Sequence, residues 1–366
     1  MCAYIAAFGT AVPEYRVPQA DVQEAVRHMF GSRVPHLDRL LPIFEHGGIE
    51  TRHFCVPLEW FLVPHTAEEK HRLFVEQAAA LAERAVRRCL AGAGVEPSDV
   101  DHVLLVTTTG TATPSIDAYL CNRLSFRSDA KRTPIWGLGC AGGAAGLSRA
   151  YEYVKAFPKE RCLLVAVELC SLTFIRNDAS KSNLVATSLF ADGAAAALVV
   201  GEEAFRRGET AAPRIVGTRS ELWPDSLDVM GWDVTNDGLK VVFSKDIPTL
   251  VSQSMRGIVD RLIAPRGLAD SDVETFALHP GGKKVLEAYE AALGLGAGAL
   301  NASERVLRRY GNMSSATLLF VLEEAYGAAS RPRNGSHGIA GALGPGFSSE
   351  MLLLEFNSGS AEGGKV

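Results

Sequence analysis

Two patterns alternate along this chain: apolar residues three and four apart, and short unbroken apolar runs. The first predicts amphipathic helices and the second buried strands. The longest helical pattern, TAEEKHRLFVEQAAALAERAVRRCLAGAG over 66–94, opens on Thr66 as an N-cap and closes on Gly92 and Gly94. ADVQEAVRHMF (20–30) and SIDAYLCNRLSF (115–126) predict two shorter helices. AYIAAFGT (3–10), VDHVLLVTTT (100–109) and CLLVAVELC (162–170) predict strands, and LFADGAAAALVVGEE (189–203) predicts a turn running into another. Residues 31–64 are aromatic and irregular. Strands alternating with helices imply α/β layering.

The 366 residues are enough for one large domain or two fused halves. With 47% hydrophobic and 22% charged residues, the composition is that of a folded enzyme rather than a disordered chain. A net charge of −5 excludes a bulk nucleic-acid binder, so an anionic substrate must meet a local basic patch. Seven cysteines, with no CxxC pair, signal neither a zinc site nor a disulfide framework. No charged and then apolar leader and no apolar run near membrane-spanning length is present. The expectation is a cytoplasmic protein with no membrane span and no metal.

WGLGCAGGAAGLSRA, 136–150, is the chemical centre of the pattern. A short strand predicts a tight turn at Gly137 and Gly139, followed by a helix that opens at Cys140. The run of small residues lets that helix pass close to another backbone. At such a position the helix dipole favours thiolate, which makes Cys140 a candidate nucleophile, with an inert core cysteine as the alternative. DVDHVLLVTTTG (99–110) is matched by DVETFALHPGG (272–282), and GCAGGAAGLSRA (139–150) by GNMSSATLLFVLEEA (311–325). The matched pairs Asp99/Asp272 and Cys140/Asn312 lie 173 and 172 positions apart, as a duplicated unit requires. Equivalent loops of two halves converge, bringing Cys140, His279 and Asn312 to one place. His279 ends a strand above a Pro-Gly-Gly loop and can pair with the thiolate. Asn312 is either an N-cap or a polar donor. Together, His279 and Asn312 suit stabilisation of an enolate or oxyanion.

WGLGCAGGAAGL, LFADGAAAALVVG, FALHPGG, RYGNMSSA and ALGPGFSSEMLLLEF, in this order, resemble the type III polyketide synthases, the chalcone synthase-like family. The resemblance implies a thiolase-like fold of two pseudo-symmetric α/β halves in five αβαβα layers, divided here at 1–205 and 206–366. It implies a homodimer, acyl-CoA and malonyl-CoA as substrates, and no cofactor besides these coenzyme A thioesters. Cys140 matches the acyl-carrying nucleophile, and His279 with Asn312 the pair that drives decarboxylation. Phe190 matches a gating aromatic. Thr108, Thr109, Glu168, Cys170, Thr173 and Ser314 match cavity-lining positions, and Leu343 and Gly344 lie in the loop that shapes the cavity floor. Val241 stands in place of a second gating aromatic, Trp232 in place of a small Gly, and Thr113 in place of a Met reaching in from the partner subunit. Lys283 and Lys284, beside Gly281, are the residues expected to grip CoA phosphate, with Arg308 and Arg309 as weaker candidates. SLTFIRNDASKSNLVATSLFADG (171–193) is similar to the bacterial branch that converts long-chain acyl starters into alkylpyrones or alkylresorcinols. Two other outcomes stay open: a malonyl, short or aromatic starter giving a naphthalene- or phloroglucinol-type product, and a single-condensation ketoacyl synthase III-like enzyme.

Overall fold

A computed structural model describes residues 2–31, 33–205, 212–327 and 332–357. The expected boundary between 205 and 206 falls where the described residues stop. The first stretch builds strands β1 (Ala3–Ala11), β2 (Tyr15–Pro18), β3 (Thr51–Phe54), β4 (His102–Thr107), β5 (Lys131–Trp136), β6 (Arg161–Leu169) and β7 (Asp192–Gly201). Between them run helices α1 (Gln19–Phe30), α2 (Pro42–His46), α3 (Ala67–Ala93), α4 (Ile116–Arg123), α5 (Gly142–Ala156) and α6 (Lys181–Leu189). The remainder adds β8 (Ala212–Leu222), β9 (Met230–Thr235), β10 (Gly238–Phe243), β11 (Val273–Leu278), β12 (His337–Gly344) and β13 (Ser348–Asn357). Its helices are α7 (Ile247–Ile263), α8 (Lys283–Leu293), α9 (Asn301–Tyr310) and α10 (Thr317–Tyr326).

Nine strands follow the order β11-β12-β13-β8-β1-β7-β6-β4-β5. The pairing repeats across a two-residue junction, Ala3 with Ile215 and Tyr4 with Arg214. On one side β4 and β6 are parallel, β6 and β7 antiparallel, and β7 and β1 antiparallel. On the other, β11 and β12 are parallel, β12 and β13 antiparallel, and β13 and β8 antiparallel. The duplication expected from the sequence is therefore present as topology. Helices α5 and α10 form a central layer touching strands of both sides, with α3 outside one sheet and α7 and α8 outside the other. These are the five layers of a thiolase-like fold.

Local chemistry explains the elements that frame the site. Thr66 and Glu69 form a reciprocal capping box at the start of α3, and Gly94, in the left-handed region, ends it. The small residues of α5 serve close approach. A Cβ built on Gly143 would lie 2.3 Å from the carbonyl oxygen of Ser315, and one on Gly146 2.4 Å from Leu164. Three boundaries differ from the sequence reading. The chain at Cys140 is a 3₁₀ turn (Gly139–Ala141), and α5 begins only at Gly142. α4 stops at Arg123, short of 126. Asn312 precedes a 3₁₀ turn at Ser314–Ala316 and the start of α10 at Thr317. Among the described residues, no helix is long and apolar enough to cross a membrane. No group of His, Cys, Asp or Glu among them is placed to hold a metal ion.

Candidate active site

The turn after β5 uses Gly137 (φ +91°) and Gly139 (φ +48°) to swing the chain from an edge strand into the central layer. The Gly139 amide donates to Thr108 Oγ1 at 3.0 Å, which anchors the turn to the end of β4. From the other sheet, the end of β12 closes over it. A Cβ on Gly344 would lie 2.5 Å from the carbonyl oxygen of Leu138, and one on Gly139 2.6 Å from Pro345. Cys140 is thereby held in the seam between the two sheets.

Its Sγ lies 4.0 Å from Asn312 Oδ1. Burial pushes the thiol up to about 12, against opposing contributions from hydrogen bonds to Ser314 and Asn312. Burial therefore opposes the thiolate that the helix terminus was expected to favour. Cys140 sits in the 3₁₀ turn ahead of α5, and loss of hydration outweighs the helix terminus. His279, at the end of β11, is fixed through its backbone amide, which donates to Gly341 O at 2.8 Å. Its ring is 2% exposed, and neither Nδ1 nor Nε2 has a hydrogen-bond partner among the described residues. Burial lowers its pKa to about 3, so the imidazole is neutral. The expected ion pair with a thiolate is absent here for the same reason: both groups are stripped of water and rest uncharged.

Asn312 forms a parallel bridge with Phe190. Its amide donates to Leu189 O at 2.9 Å, and its carbonyl accepts from the Ala191 amide at 2.8 Å. Its Oδ1 accepts from the Ser314 amide at 2.9 Å, the cap-like bond that the sequence allowed. Its Nδ2 donates to Gly281 O at 3.3 Å. Because the Gly281 amide in turn donates to His279 O, Asn312 joins the His279 loop to Cys140.

In front of Cys140 is a cavity of about 380 Å³, with Cys170, Phe190, Trp232, Val241, Ser314 and Pro345 in its walls. Cys170, Phe190, Trp232 and Val241 are also walls of a second, apolar space of about 570 Å³. Val22, Val26 and Met29 of α1 line that space, together with Phe61, Phe174 and Thr173. The Phe190 and Trp232 rings meet at 6.0 Å between centroids. Cys170 is placed by Asp192, which accepts from the Ser171 amide (2.7 Å), the Ser171 hydroxyl (2.6 Å) and the Cys55 amide (2.8 Å).

Several expected cavity residues stand elsewhere. Glu168 is fully buried behind the turn, and its Oε2 accepts from the amides of Thr108 (3.0 Å) and Thr109 (3.1 Å) and the Thr109 hydroxyl (2.7 Å). Its Oε1 accepts from Ser315 Oγ at 2.5 Å. Thr108, Thr109 and Glu168 thus support the wall rather than line it: burial pushes the Glu168 carboxyl up, the hydrogen bonds from Ser315, Thr108 and Thr109 oppose that, and a carboxyl this deep needs every donor within reach. Leu343 packs in the apolar core beside Leu278 and Phe347, so the floor of the cavity falls to Pro345. Thr113 is exposed and lines neither space of its own chain. Lys283 and Lys284 are exposed on the first turn of α8, two residues past Gly281. Arg308 faces Glu50 at 3.8 Å, and Arg309 covers the Tyr310 ring.

Arg52, Met29 and Phe61 escaped the sequence reading, whereas Pro345 lies in the ALGPG loop, 342–346, that the resemblance placed at the cavity floor. For Met29 and Phe61 no signal existed, since a wall residue and a core residue share one pattern. Arg52 carried a faint one: an arginine facing inward from the short strand TRHF. It is 1% exposed, and its Nη1 donates to the carbonyls of Thr187 (2.6 Å) and Phe190 (2.8 Å). Burial lowers the guanidinium to about 9, opposed by Asp192, so it stays charged at neutral pH.

Residues 2–203 match the family model of the N-terminal domain of chalcone and stilbene synthases, and residues 214–357 the model of the C-terminal domain. A Bacillus subtilis (strain 168) protein named provisionally as a chalcone synthase is 45% identical, over 98% of this chain and 100% of its own. The 1,3,6,8-tetrahydroxynaphthalene synthase of Streptomyces peucetius subsp. caesius is 40% identical, over 96% of this chain and 93% of its own. The alpha-pyrone synthesis polyketide synthase-like Pks18 of Mycobacterium tuberculosis (strain CDC 1551 / Oshkosh) is 30% identical, over 96% and 91%. The crystal structure of the Streptomyces coelicolor A3(2) tetrahydroxynaphthalene synthase superposes with a TM-score of 0.91 at 29% identity, covering 98% of this chain and 100% of that one. With its duplicated sheet, its buried Cys140 and Asn312 and both family models matched nearly end to end, this chain belongs to the chalcone and stilbene synthases, the type III polyketide synthases, which are decarboxylating condensing acyltransferases.

Proposed function

We propose that this enzyme takes a long-chain acyl group from its CoA ester and extends it with malonyl-CoA. The chain is then closed to an alkylpyrone or alkylresorcinol. The observation that carries the reading is the apolar space behind Cys170, Phe190, Trp232 and Val241. Its walls of Val22, Val26, Met29 and Phe61 match an alkyl chain and offer little to a short polar starter.

Cys140 is the nucleophile in this reading. On entry of the acyl-CoA, the Cys140 proton passes to neutral His279. Sγ bonds to the thioester carbonyl carbon, and the C–S bond to coenzyme A breaks, with the departing thiolate taking that proton. Malonyl-CoA then places its thioester oxygen between the unpartnered His279 ring and Asn312 Nδ2. The bond to the carboxylate breaks, carbon dioxide leaves, and its electron pair moves to the enolate oxygen, where the two donors stabilise it. The enolate carbon bonds to the acyl carbon and expels the Cys140 thiolate. Repeated loading and extension precede ring closure. Lys283 and Lys284, exposed beside the His279 loop, suit the CoA phosphates. A homodimer completes the site: β5 is an edge strand paired with β4 alone and ends in Trp136, 51% exposed, while Thr113 faces outward.

Labelled malonyl-CoA with starters from acetyl- to palmitoyl-CoA, read by mass spectrometry, tests the reading. Pyrones or resorcinols from long-chain starters, lost in Cys140→Ala, support it. The 40% identity to a tetrahydroxynaphthalene synthase favours a second reading, in which malonyl-CoA is itself the starter. A naphthalene product from malonyl-CoA alone sinks the long-chain assignment and leaves the family intact. Light scattering gives twice the 39.2 kDa chain mass if the dimer is right.

A further inference from the structure

Phe190 and Asn312 are neighbours in space through a single bridge, and one side chain holds both ends of it. The Arg52 guanidinium donates through Nη1 to the carbonyls of Thr187 and Phe190, closing the last turn of α6, whose carbonyls have no helical partner. The stem of Arg52 runs along Gly311, the residue before Asn312. A Cβ on Gly311 would lie 2.9 Å from Arg52 Cγ, and Gly311 adopts φ +72°. From the same loop, the Asn312 amide donates to Leu189 O and the Ala191 amide returns to Asn312 O. Arg52 is therefore wedged between the end of α6, which Phe190 caps, and the loop that carries Asn312. Among the described residues no carboxylate forms an ion pair with it: Nη1 is committed to backbone carbonyls, Nε and Nη2 are buried without a hydrogen-bond partner, and Asp192 acts on it only from beyond ion-pair distance. A structural arginine with no further duty would be expected to bring a carboxylate into so dry a place, since an unpaired buried charge is costly.

We propose that Arg52 is a positioning residue for the decarboxylation step: it sets where Asn312 Nδ2 stands, and couples that position to the aromatic wall at Phe190. This rests on the assignment of Asn312 as an enolate donor. In the proposed mechanism loading uses Cys140 and His279, with Asn312 only 4.0 Å from the sulfur, whereas decarboxylation needs Asn312 Nδ2 as a donor, so a displaced Asn312 should slow the second half-reaction more than the first. Displacing a donor by about an ångström costs on the order of a hundredfold in rate, which sets the scale of the effect.

The test compares Arg52→Lys, Arg52→Met and Asn312→Ala in the full chain. Release of carbon dioxide from carboxyl-labelled malonyl-CoA reads decarboxylation, and intact mass reads acylation of Cys140 by an acyl-CoA. The expected result is decarboxylation slowed about tenfold in Arg52→Lys, which reaches one carbonyl, and about a hundredfold in Arg52→Met. The KM for malonyl-CoA and the rate of Cys140 acylation stay within about twofold. Wild-type decarboxylation in Arg52→Lys overturns the proposal, and so does an equal fall in acylation and decarboxylation, the mark of a general loss of fold. If Arg52→Met does not fold, Arg52→Lys alone decides. Asn312→Ala that decarboxylates at the wild-type rate removes the assignment beneath the proposal, an outcome distinct from failure of Arg52 itself.

Discussion

Filling the apolar space should change the starter without touching the chemistry. Ala186 on α6 is buried and lines that space, whose walls do not include Cys140, His279 or Asn312. Ala186→Phe puts a ring into it. A buried methylene is worth about 0.8 kcal/mol, so each methylene the wild-type pocket accepts should raise kcat/KM about fourfold until the pocket is full. Six methylenes beyond acetyl would amount to about 5 kcal/mol, an upper bound because part of the alkyl chain is already shielded when free. In Ala186→Phe that dependence should flatten, with long-chain starters losing about 100-fold or more in kcat/KM and acetyl-CoA changing by less than about threefold. Because the ring enters existing space, the stability loss should stay under the roughly 1–3 kcal/mol of true overpacking. The assay is kcat/KM across an acyl-CoA series from two to sixteen carbons, with a thermal melt as control. A wild-type profile with no chain-length dependence refutes the reasoning. So does a variant that keeps the wild-type profile while melting normally.

Other consequences bear on the support behind the site. Glu168→Ala strands the donors of Thr108, Thr109 and Ser315 and should cost about 3–5 kcal/mol in denaturant unfolding, whereas Glu168→Gln, which keeps an acceptor, should cost about 1–2. Gly143→Ala drives a methyl into the Ser315 carbonyl and should lower stability by about 2 kcal/mol or more, with weaker condensation because the α5–α10 seam carries both Cys140 and Ser314. Alkylation of resting Cys140 by iodoacetamide should be slow at pH 7. Because its pKa is pushed up to about 12, the rate should go on rising with pH through 9. A plateau near pH 6 or 7 would restore the thiolate expected from the helix terminus.

What the chain pattern by itself determined is the layering, the duplication and the three polar residues at the seam. Those features are local or periodic: a strand, a glycine turn, a run of small residues, then the same plan again about 172 positions on. Runs of Ala and Gly in α5 and β7 imply close approach wherever they pack, so the seam at Cys140 was legible before its partners were known. Charge states were not legible. The dipole argument for Cys140 and the ion pair with His279 each treated one local effect, and desolvation, which depends on what the rest of the fold lays over the site, outweighs both. Glu168, Thr109 and Leu343 were expected at the cavity from the family resemblance alone, yet their side chains turn into the support and the core. Position along a strand end gives proximity to a site, and only the packing of both sheets decides which way a side chain faces. Arg52 and the α1 wall came from the irregular stretch and from an ordinary amphipathic helix. Their meaning depends on what stands opposite them across the fold, and that is a property of the tertiary structure alone.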